Sequence, residues 1–223
     1  MRRKNVLANS EIYHVFNKSI SGYKIFLSEE DFRRIKRMLL YYQISDRPMQ
    51  FSNYVHLSSV KSEGFTQNLK SMRDESQNLV QIIAYCIMPT HFHFILKQLK
   101  NNGITDFMGN LLNSYSRYFN IKRKRTGPLW VGRFKSVLVK TDEQLMHLTR
   151  YVHLNPVTAS LIKKPNEWEA SSYGEYTGLS GPDDRICDYD GLLSINRDRY
   201  KIFVSDGIEY QKELVKIKAL LFD

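Results

Sequence analysis

Cysteine and long apolar stretches are both scarce in this chain. Cys86 and Cys187 are the only cysteines among its 223 residues, too few for a disulfide framework or a zinc ribbon, which favours a reducing compartment. No segment approaches the roughly 20 apolar residues that a membrane-spanning helix needs, and no apolar stretch follows the basic residues at the start of the chain. We therefore expect a cytoplasmic protein without a membrane partner, neither secreted nor embedded.

Acidic residues are missing from residues 107–141, in a chain whose net charge is already +10. The basic side chains of this segment are interleaved with aromatic rings, and basic groups bind phosphates whereas rings stack on bases. The mixture predicts single-stranded nucleic acid as a partner, although charge runs are more often solvated faces. For Trp130 two roles stay open, a core anchor, favoured by its apolar neighbours Leu129 and Val131, and a base-stacking platform. The candidates for DNA contact are Arg117, Lys122, Arg123, Lys124, Arg125, Trp130, Arg133 and Lys135.

Apolar periodicity and capping residues divide the chain into strands and helices. Ser28, which is followed by three acidic residues, is a typical helix N-cap, and Thr141 has the same role later in the chain. Residues 50–57 could form a strand, and residues 61–78 are predicted as a loop with at most one short helix. The other predicted strands cover residues 12–16, 79–87, 91–98 and 133–139, and the predicted helices cover residues 29–43, 104–120, 142–153 and 206–221.

These elements do not follow the regular strand–helix repeat of a parallel α/β fold. We therefore expect an α+β protein. Its central sheet would be antiparallel or mixed, with helices packed mainly on one face, as in ferredoxin-like and RRM-like sandwiches, and a helical extension would follow at the C-terminus.

Two histidines separated by one apolar residue occur in residues 88–96, where a Met-Pro-Thr break precedes an apolar stretch. Successive side chains of a strand point to opposite faces, so His91 and His93 share one face while Phe92 and Phe94 line the other. Two imidazoles on one sheet face can bind a metal ion. The alternative is an ordinary strand that carries one functional histidine or none.

The predicted helix after Thr141 carries His147, Tyr151 and Asn155 at intervals of four residues. Residues four apart share a helix face, so these three polar side chains form one stripe. The alternative is an exposed polar face without function, and a tyrosine is more often a core residue than a catalyst. Asn155 precedes Pro156, which disfavours helical geometry at Asn155 and places it at the end of the helix.

Three segments of the chain, in this order, resemble the signatures of the single-strand HUH tyrosine transposases, and most of all those of the REP-associated branch. They are the His91-Phe92-His93 motif preceded by Met88-Pro89, the Gly-Pro-Leu-Trp-Val-Gly-Arg-Phe-Lys segment at 127–135, and the Arg-Tyr-Val-His-Leu-Asn-Pro-Val segment at 150–157. The resemblance covers residues 10–176. It implies a transposase-like catalytic domain over residues 1–180, followed by a C-terminal extension of unknown role over residues 181–223.

Matched residue by residue, the resemblance makes Tyr151 the nucleophile and His91, His93 and Asn155 the metal ligands. It implies that single-stranded DNA is cleaved and rejoined at hairpin-marked sites through a 5′-phosphotyrosine intermediate, with Mg²⁺ or Mn²⁺ as cofactor. Insertion-sequence relatives more often have glutamine where this chain has the shorter Asn155, so direct coordination and a bridging water both stay open. Relatives include monomers and homodimers, and this chain is compatible with either state.

Two other functions fit the same residues. A metal-dependent nuclease would use water as the nucleophile and keep Tyr151 as a binding residue, whereas a domesticated nucleic-acid-binding module would do no chemistry. The phenol of a tyrosine ionises only near pH 10, so a transposase also needs an activating group, for which the metal ion, His147 and His153 are candidates. The joint presence of two candidate ligands and the tyrosine favours the transposase.

Overall fold

The computed structural model describes residues 7–72, 77–181 and 185–213. Its strands are β1 (Ile12–Lys18), β2 (Val80–Met88), β3 (His91–Gln98) and β4 (Lys135–Val139). Its helices are α1 (Glu29–Tyr42), α2 (Phe51–Tyr54), α3 (Ser58–Glu63), α4 (Phe65–Met72), α5 (Gly103–Lys122), α6 (Asp142–Thr158), α7 (Tyr173–Thr177) and α8 (Arg197–Asp206). Within these residues, no helix combines the length and the apolar character needed to cross a membrane.

The four strands form one antiparallel sheet in the order β2-β3-β1-β4. The connection from β1 to the edge strand β2 contains α1, and α5 connects β3 to the opposite edge strand β4. This is the β-α-β-β-α-β arrangement of ferredoxin-like folds. The predicted α+β class is therefore confirmed, as are the strands expected over residues 12–16, 79–87, 91–98 and 133–139, whose ends shift by at most two residues.

The first face of the sheet is closed by α1 and α5. Phe92, Phe94 and Leu96 of β3 point to this face together with Val15 of β1, and each of the four is at most 1% exposed. They belong to one hydrophobic core with apolar side chains of both helices, such as Ile35 of α1. Complete burial of an apolar side chain of this size contributes about 1.5–3 kcal/mol, so this face supplies much of the packing energy that holds the helices on the sheet.

The second face of the sheet is covered in part by α6, α7 and α8. Every side chain of β2 from residue 82 to residue 88 is buried, so this strand requires apolar cover on both of its faces. Val152 of α6, Tyr176 of α7 and Val204 of α8 supply that cover in a second core. The helices therefore extend over both faces, beyond the mainly one-sided packing that we expected, and α8 in the predicted extension shares this core.

The start of α1 is fixed by the predicted cap. Ser28 Oγ accepts a hydrogen bond from the Asp31 amide (3.3 Å), and Asp31 Oδ2 accepts one from the Ser28 amide (3.2 Å), which completes a reciprocal capping box. The buried Asp31 carboxylate also accepts hydrogen bonds from Tyr118 Oη and Lys122 Nζ of α5, both at 2.8 Å. Asp31 thus joins the first turn of α1 to the last turn of α5.

Residues 51–54 form a helix, so the strand predicted over residues 50–57 is wrong. α2 buries Phe51 and Tyr54, whose rings contact Tyr41 of α1 at centroid distances of 5.5 and 4.8 Å. Apolar residues three apart suit a helix, and their packing on α1 overrides the strand propensity of aromatic side chains. Residues 61–78 were expected to contain at most one short helix, yet they include the end of α3 and all of α4.

α6 is longer than the sequence predicted. It continues through Pro156 to Thr158, which corrects the expected end at residue 153 and places Asn155 inside the helix. A proline in the last turn removes a single N–H donor, and the Ala159 amide still donates to Asn155 O at 2.9 Å. The helical geometry therefore survives in spite of the preference of a residue before proline for extended backbone.

The sequence did not predict α8, which covers Arg197–Asp206. The chain turns at Gly207, and residues 208–213 are helical, within the helix predicted over residues 206–221. Residues 214–221 of the prediction lie outside the described residues.

Candidate active site

Three histidines form a cluster on the second face of the sheet. His91 and His93 of β3 lie there as predicted, with their ring centroids 5.2 Å apart. The strand register pairs Phe16 of β1 with His93, so His14, two residues before Phe16, reaches His93 diagonally. His14 Nε2 and His93 Nδ1 are 2.9 Å apart, a hydrogen bond between two imidazoles. The alternation of side chains along the strand predicted that His91 and His93 share a face, and the register of β1 against β3 brings His14 to them.

All three imidazoles are neutral at pH 7. Burial lowers the pKa of His14 to about 4, and burial together with the neighbouring histidines lowers the pKa of His93 to about 2. Burial, with a smaller contribution from Lys18, also lowers the pKa of His91. A neutral imidazole is the form that binds a metal ion, so the cluster is kept in the state that coordination needs.

The bonding of the two β3 histidines fits a metal ion. His91 Nδ1 hydrogen-bonds to Thr90 Oγ1 at 2.9 Å, and His93 Nδ1 hydrogen-bonds to His14. Metal-bound histidines characteristically engage one ring nitrogen in such a bond and use the other nitrogen for the metal. In the described ranges, no three His, Cys, Asp or Glu side chains are arranged to hold a metal together, so His91 and His93 would need an amide, water or substrate oxygen to complete the site.

Tyr151 of α6 lies over this cluster. Its ring meets the rings of His93 and His14 edge to face, at centroid distances of 5.6 and 5.9 Å. The residue is 37% exposed, so a substrate can reach it. Partial burial of the side chain raises the pKa of the Tyr151 phenol above its ordinary value of 10. The phenol is therefore protonated at neutral pH. The structure therefore brings the predicted nucleophile to the predicted metal ligands.

Asn155 lies one helical turn after Tyr151, on the same face of α6. Its Nδ2 donates a hydrogen bond to the Tyr151 backbone oxygen at 2.8 Å, so its amide is bonded to its own helix. No hydrogen bond joins it to the histidines in the described part of the chain. The structure thus brings Tyr151, but not the Asn155 amide, into contact with the cluster, and a ligand role for Asn155 stays a prediction.

The two other histidines of α6 are already engaged elsewhere. His147 Nδ1 contacts Arg150 Nη2 at 2.9 Å, and its ring packs on Phe203 of α8. His153 is buried between Tyr200 Oη (2.7 Å) and Ser172 Oγ (2.8 Å). The ring of His147 thus packs on α8, and His153 joins α6 to Tyr200 and Ser172, so neither histidine is arranged to take the proton of Tyr151.

A basic cleft of about 600 Å³ opens beside the histidine cluster. Lys18 of β1, Arg133 and Lys135 line it together with His91 and His93. All three cationic side chains are exposed. Two of the eight predicted DNA-contact residues, Arg133 and Lys135, are therefore next to the predicted metal ligands, and Lys18 is a further cation that sequence reasoning missed.

The remaining predicted DNA contacts do not line this cleft, and several are bonded within the protein. Lys122 Nζ binds Asp31 (2.8 Å) and Glu30 (2.7 Å), and Arg125 donates to Asn120 Oδ1 and to the Pro128 backbone oxygen. Arg117 makes a longer hydrogen bond to Gln50, of 3.4 Å, whereas Arg123 and Lys124 are exposed at the end of α5.

Trp130 is 9% exposed, and its indole N–H donates to Ser116 Oγ at 2.9 Å. Its ring also contacts Phe92 of the first face, with centroids 5.5 Å apart. Trp130 therefore occupies the core position that its apolar sequence neighbours favoured. A role in base stacking would require the ring to leave this packing.

A family comparison agrees with this arrangement. Residues 58–155 match the family model of IS200-like transposases. The matched segment contains His91, His93, Tyr151 and Asn155, and the resemblance to the single-strand tyrosine transposases is confirmed. None of the curated proteins compared with the chain matches it.

Two solved structures resemble this chain to different extents. One is a REP-associated tyrosine transposase bound to a REP hairpin; it is 14% identical, covers 88% of this chain and 98% of its own, and superposes with a TM-score of 0.50. At this identity the similarity establishes the fold alone. A Deinococcus radiodurans R1 protein described as a candidate transposase, also 14% identical, covers 68% of this chain and 95% of its own, but its TM-score of 0.35 supports no conclusion.

Proposed function

Since the chain carries an IS200-like transposase match, we propose that it is a metal-dependent transposase that cleaves and rejoins single-stranded DNA through a 5′-phosphotyrosine intermediate. The observation that carries the proposal is the packing of Tyr151 on His93 and His14, beside the basic cleft. A phenol, neutral imidazoles and the cationic side chains of the cleft are thus available at one place. Residues 1–180 would supply this catalytic unit, and Tyr151 is its catalytic residue.

DNA binding is assigned to the basic cleft. Lys18, Arg133 and Lys135 would neutralise phosphates on either side of the scissile bond, since cationic side chains bind the sugar-phosphate backbone without regard to sequence. The exposed Arg123 and Lys124 would extend this path along the end of α5. Hairpin-marked DNA is the proposed target, because the related fold of a REP-associated transposase is described in complex with a REP hairpin.

A divalent cation is the proposed cofactor. His91 and His93 would hold Mg²⁺ or Mn²⁺ through ring nitrogens opposite to those bonded to Thr90 and His14. Asn155 is the proposed third ligand, directly or through a water molecule. When bound, the cation would polarise the phosphate and offset the negative charge that develops during cleavage.

The residues of the chain itself would carry out the covalent step. Tyr151 Oη loses its proton to water and attacks phosphorus; the Oη–P bond forms as the bond to the 3′-oxygen breaks. The leaving 3′-oxygen takes up a proton, and the 5′-phosphate stays on the tyrosine. Attack on this phosphotyrosine by another 3′-hydroxyl reverses the step, so rejoining needs no nucleotide cofactor.

Denaturing electrophoresis tests this proposal. The full chain is incubated with Mn²⁺ and 5′- or 3′-labelled single strands, some with hairpins and some of random sequence, beside the Tyr151→Phe and His91→Ala variants. The matched controls are Tyr210→Phe and His56→Ala, both at exposed positions outside the cluster. We expect a slowly migrating covalent product with the wild type and both controls, and none with the two site variants.

Two outcomes would contradict the proposal. Cleavage that survives in Tyr151→Phe without any covalent product would favour a nuclease that uses water. Binding of hairpin DNA that is unchanged in His91→Ala, with no cleavage by any variant at any Mn²⁺ or Mg²⁺ concentration, would favour a binding module.

A further inference from the structure

His14 is the one residue of the histidine cluster that the three sequence motifs do not include. It lies on β1, 79 residues before its hydrogen-bond partner His93. The planes of the two rings are nearly parallel, inclined by 21°, with centroids 5.1 Å apart, which suits an in-plane hydrogen bond between them. On its other side, the His14 ring meets the edge of Tyr151. His14 thus contacts both a proposed metal ligand and the proposed nucleophile.

The hydrogen bond between His14 and His93 admits two proton arrangements. In one, His14 Nε2–H donates to His93 Nδ1, and the proton of neutral His93 is then on Nε2, which blocks that atom as a ligand. In the other, His93 Nδ1–H donates to His14 Nε2, and His93 Nε2 keeps a free lone pair. Only the second arrangement allows a metal ion to bind His93 Nε2. In this arrangement His14 is the hydrogen-bond acceptor, and it fixes the tautomer of His93.

Packing further restricts the ring of His93. Phe16 lies directly opposite His93 in the strand register, and its ring is stacked at a centroid distance of 5.9 Å. Tyr151 closes the site from α6. His93 itself is only 8% exposed, so water cannot easily replace His14 as its partner. By contrast, the corresponding bond of His91 is made by its sequence neighbour Thr90, in the turn that precedes β3.

We propose that His14 is a positioning residue of the site, which accepts the Nδ1–H of His93 and thereby leaves His93 Nε2 available for the metal ion. This inference rests on the proposed function, because it presupposes that His93 is a ligand. His14 itself would not coordinate the metal, since its Nε2 accepts the bond from His93 at 2.9 Å and Nδ1 of the neutral ring then carries the proton.

Metal titration without DNA tests the role of His14. The free Mn²⁺ signal in electron paramagnetic resonance reports binding to the full chain, independently of any DNA cleavage. His14→Phe keeps an aromatic ring and removes the acceptor, whereas His14→Gln restores an acceptor oxygen. We expect His14→Phe to weaken Mn²⁺ binding about 10-fold or more, the usual effect of losing such a partner, and His14→Gln to recover most of it. His56→Phe, at an exposed position, is the control and should bind like the wild type.

A second measurement uses the wild-type chain, so it does not depend on the folding of a variant. Long-range ¹H–¹⁵N spectra of histidine side chains identify which ring nitrogen carries the proton. We expect His93 in the Nδ1–H form, with an unprotonated Nε2 whose resonance shifts when Mg²⁺ is added. A proton on His93 Nε2 would overturn the proposal.

The outcomes separate this inference from the proposed function. If His91→Ala and His93→Ala lose Mn²⁺ binding while His14→Phe binds like the wild type, His14 has no positioning role and the metal site stands. If His93→Ala also binds Mn²⁺ like the wild type, the proposed metal site is wrong, and the role of His14 fails with it.

Discussion

The two faces of the sheet are built by the same strands and differ in what they do. On the first face, Phe92, Phe94 and their neighbours are sealed under α1 and α5. On the second face, His91 and His93 alternate with those same residues, and His93 meets Tyr151 of α6. Because successive side chains of a strand point to opposite faces, β3 serves at once as a core strand and as a platform for the candidate site. Stability and chemistry should therefore respond to different substitutions within this one strand.

The largest effect is expected on the first face. Phe94→Ala removes a fully buried ring that stacks on Phe92 at 4.3 Å, and we expect the free energy of unfolding to fall by about 3–5 kcal/mol. Urea denaturation followed by circular dichroism measures this loss. His91→Ala, on the second face and partly exposed, should cost much less stability. Equal losses in the two variants would mean that the faces are not divided in this way.

Asp31 tests how α1 and α5 are tied together over the first face. Asp31→Asn removes the charge that faces Lys122 and weakens the bonds to Tyr118 and to the α1 cap. Breaking a buried pair typically costs about 3–5 kcal/mol, and since Lys122 keeps contact with water we expect about 3 kcal/mol. Lys61→Ala, at an exposed position of α3, is the control in the same denaturation assay.

The same carboxylate predicts a dependence on pH. Burial raises the pKa of Asp31, but hydrogen bonds from Lys122 and Tyr118 outweigh it, and the pKa lies below its ordinary value. The unfolded chain therefore binds the proton first, at about pH 4, so the stabilisation by Asp31 is complete above that pH and is lost as the pH falls towards the lowered value. Asp31→Asn should show a smaller loss of stability between about pH 5 and 3; an identical loss would remove Asp31 as the cause.

A smaller effect is expected where α8 meets α6 behind the second face. Tyr200→Phe removes a buried hydroxyl that bonds to His153 (2.7 Å) and Thr149 (2.9 Å), which should cost about 1–3 kcal/mol through unsatisfied partners. Amide hydrogen exchange should also speed up in α6, which carries Tyr151. Tyr210→Phe, on an exposed side chain, should leave both quantities unchanged. Unaltered exchange in α6 would show that α8 does not hold this helix.

The smallest effects concern the rim of the second face. Arg133→Ala and Lys135→Ala should each reduce the slope of log affinity against log salt by about 0.7 on single-stranded DNA, the share of one phosphate contact. Fluorescence anisotropy with a labelled hairpin oligonucleotide measures the slope. Arg123→Ala and Lys124→Ala test, in the same assay, whether the DNA path continues along α5. Unchanged slopes for the first two variants would remove the cleft from the interface.

Local spacing made much of the second face predictable. The alternation in β3 places His91 and His93 on one side, and intervals of four place His147, Tyr151 and Asn155 on one side of α6. Both patterns can be recognised within a few strand residues or a few turns of one helix. They therefore required no knowledge of the remaining fold. The capped start of α1 at Ser28 was predictable for the same reason.

What could not be predicted depends on contacts between distant segments. His14 joins the cluster only through the register of β1 against β3, which no local pattern specifies. The prediction of Lys122 as a DNA contact could not include its ion pair with Asp31, which lies 91 residues away in sequence. α2 was mistaken for a strand because its burial against Tyr41 decides its conformation.

The central claim is that Tyr151, held over the histidine cluster, becomes covalently attached to DNA. The most direct test is tandem mass spectrometry of the wild-type chain after incubation with Mn²⁺ and a hairpin-bearing single strand, followed by nuclease and protease digestion. We predict a peptide in which Tyr151 carries a 5′-linked nucleotide, present in the wild type and missing in His91→Ala. Cleaved DNA with Tyr151 recovered only in unmodified form, or an adduct on a different tyrosine, would contradict the account.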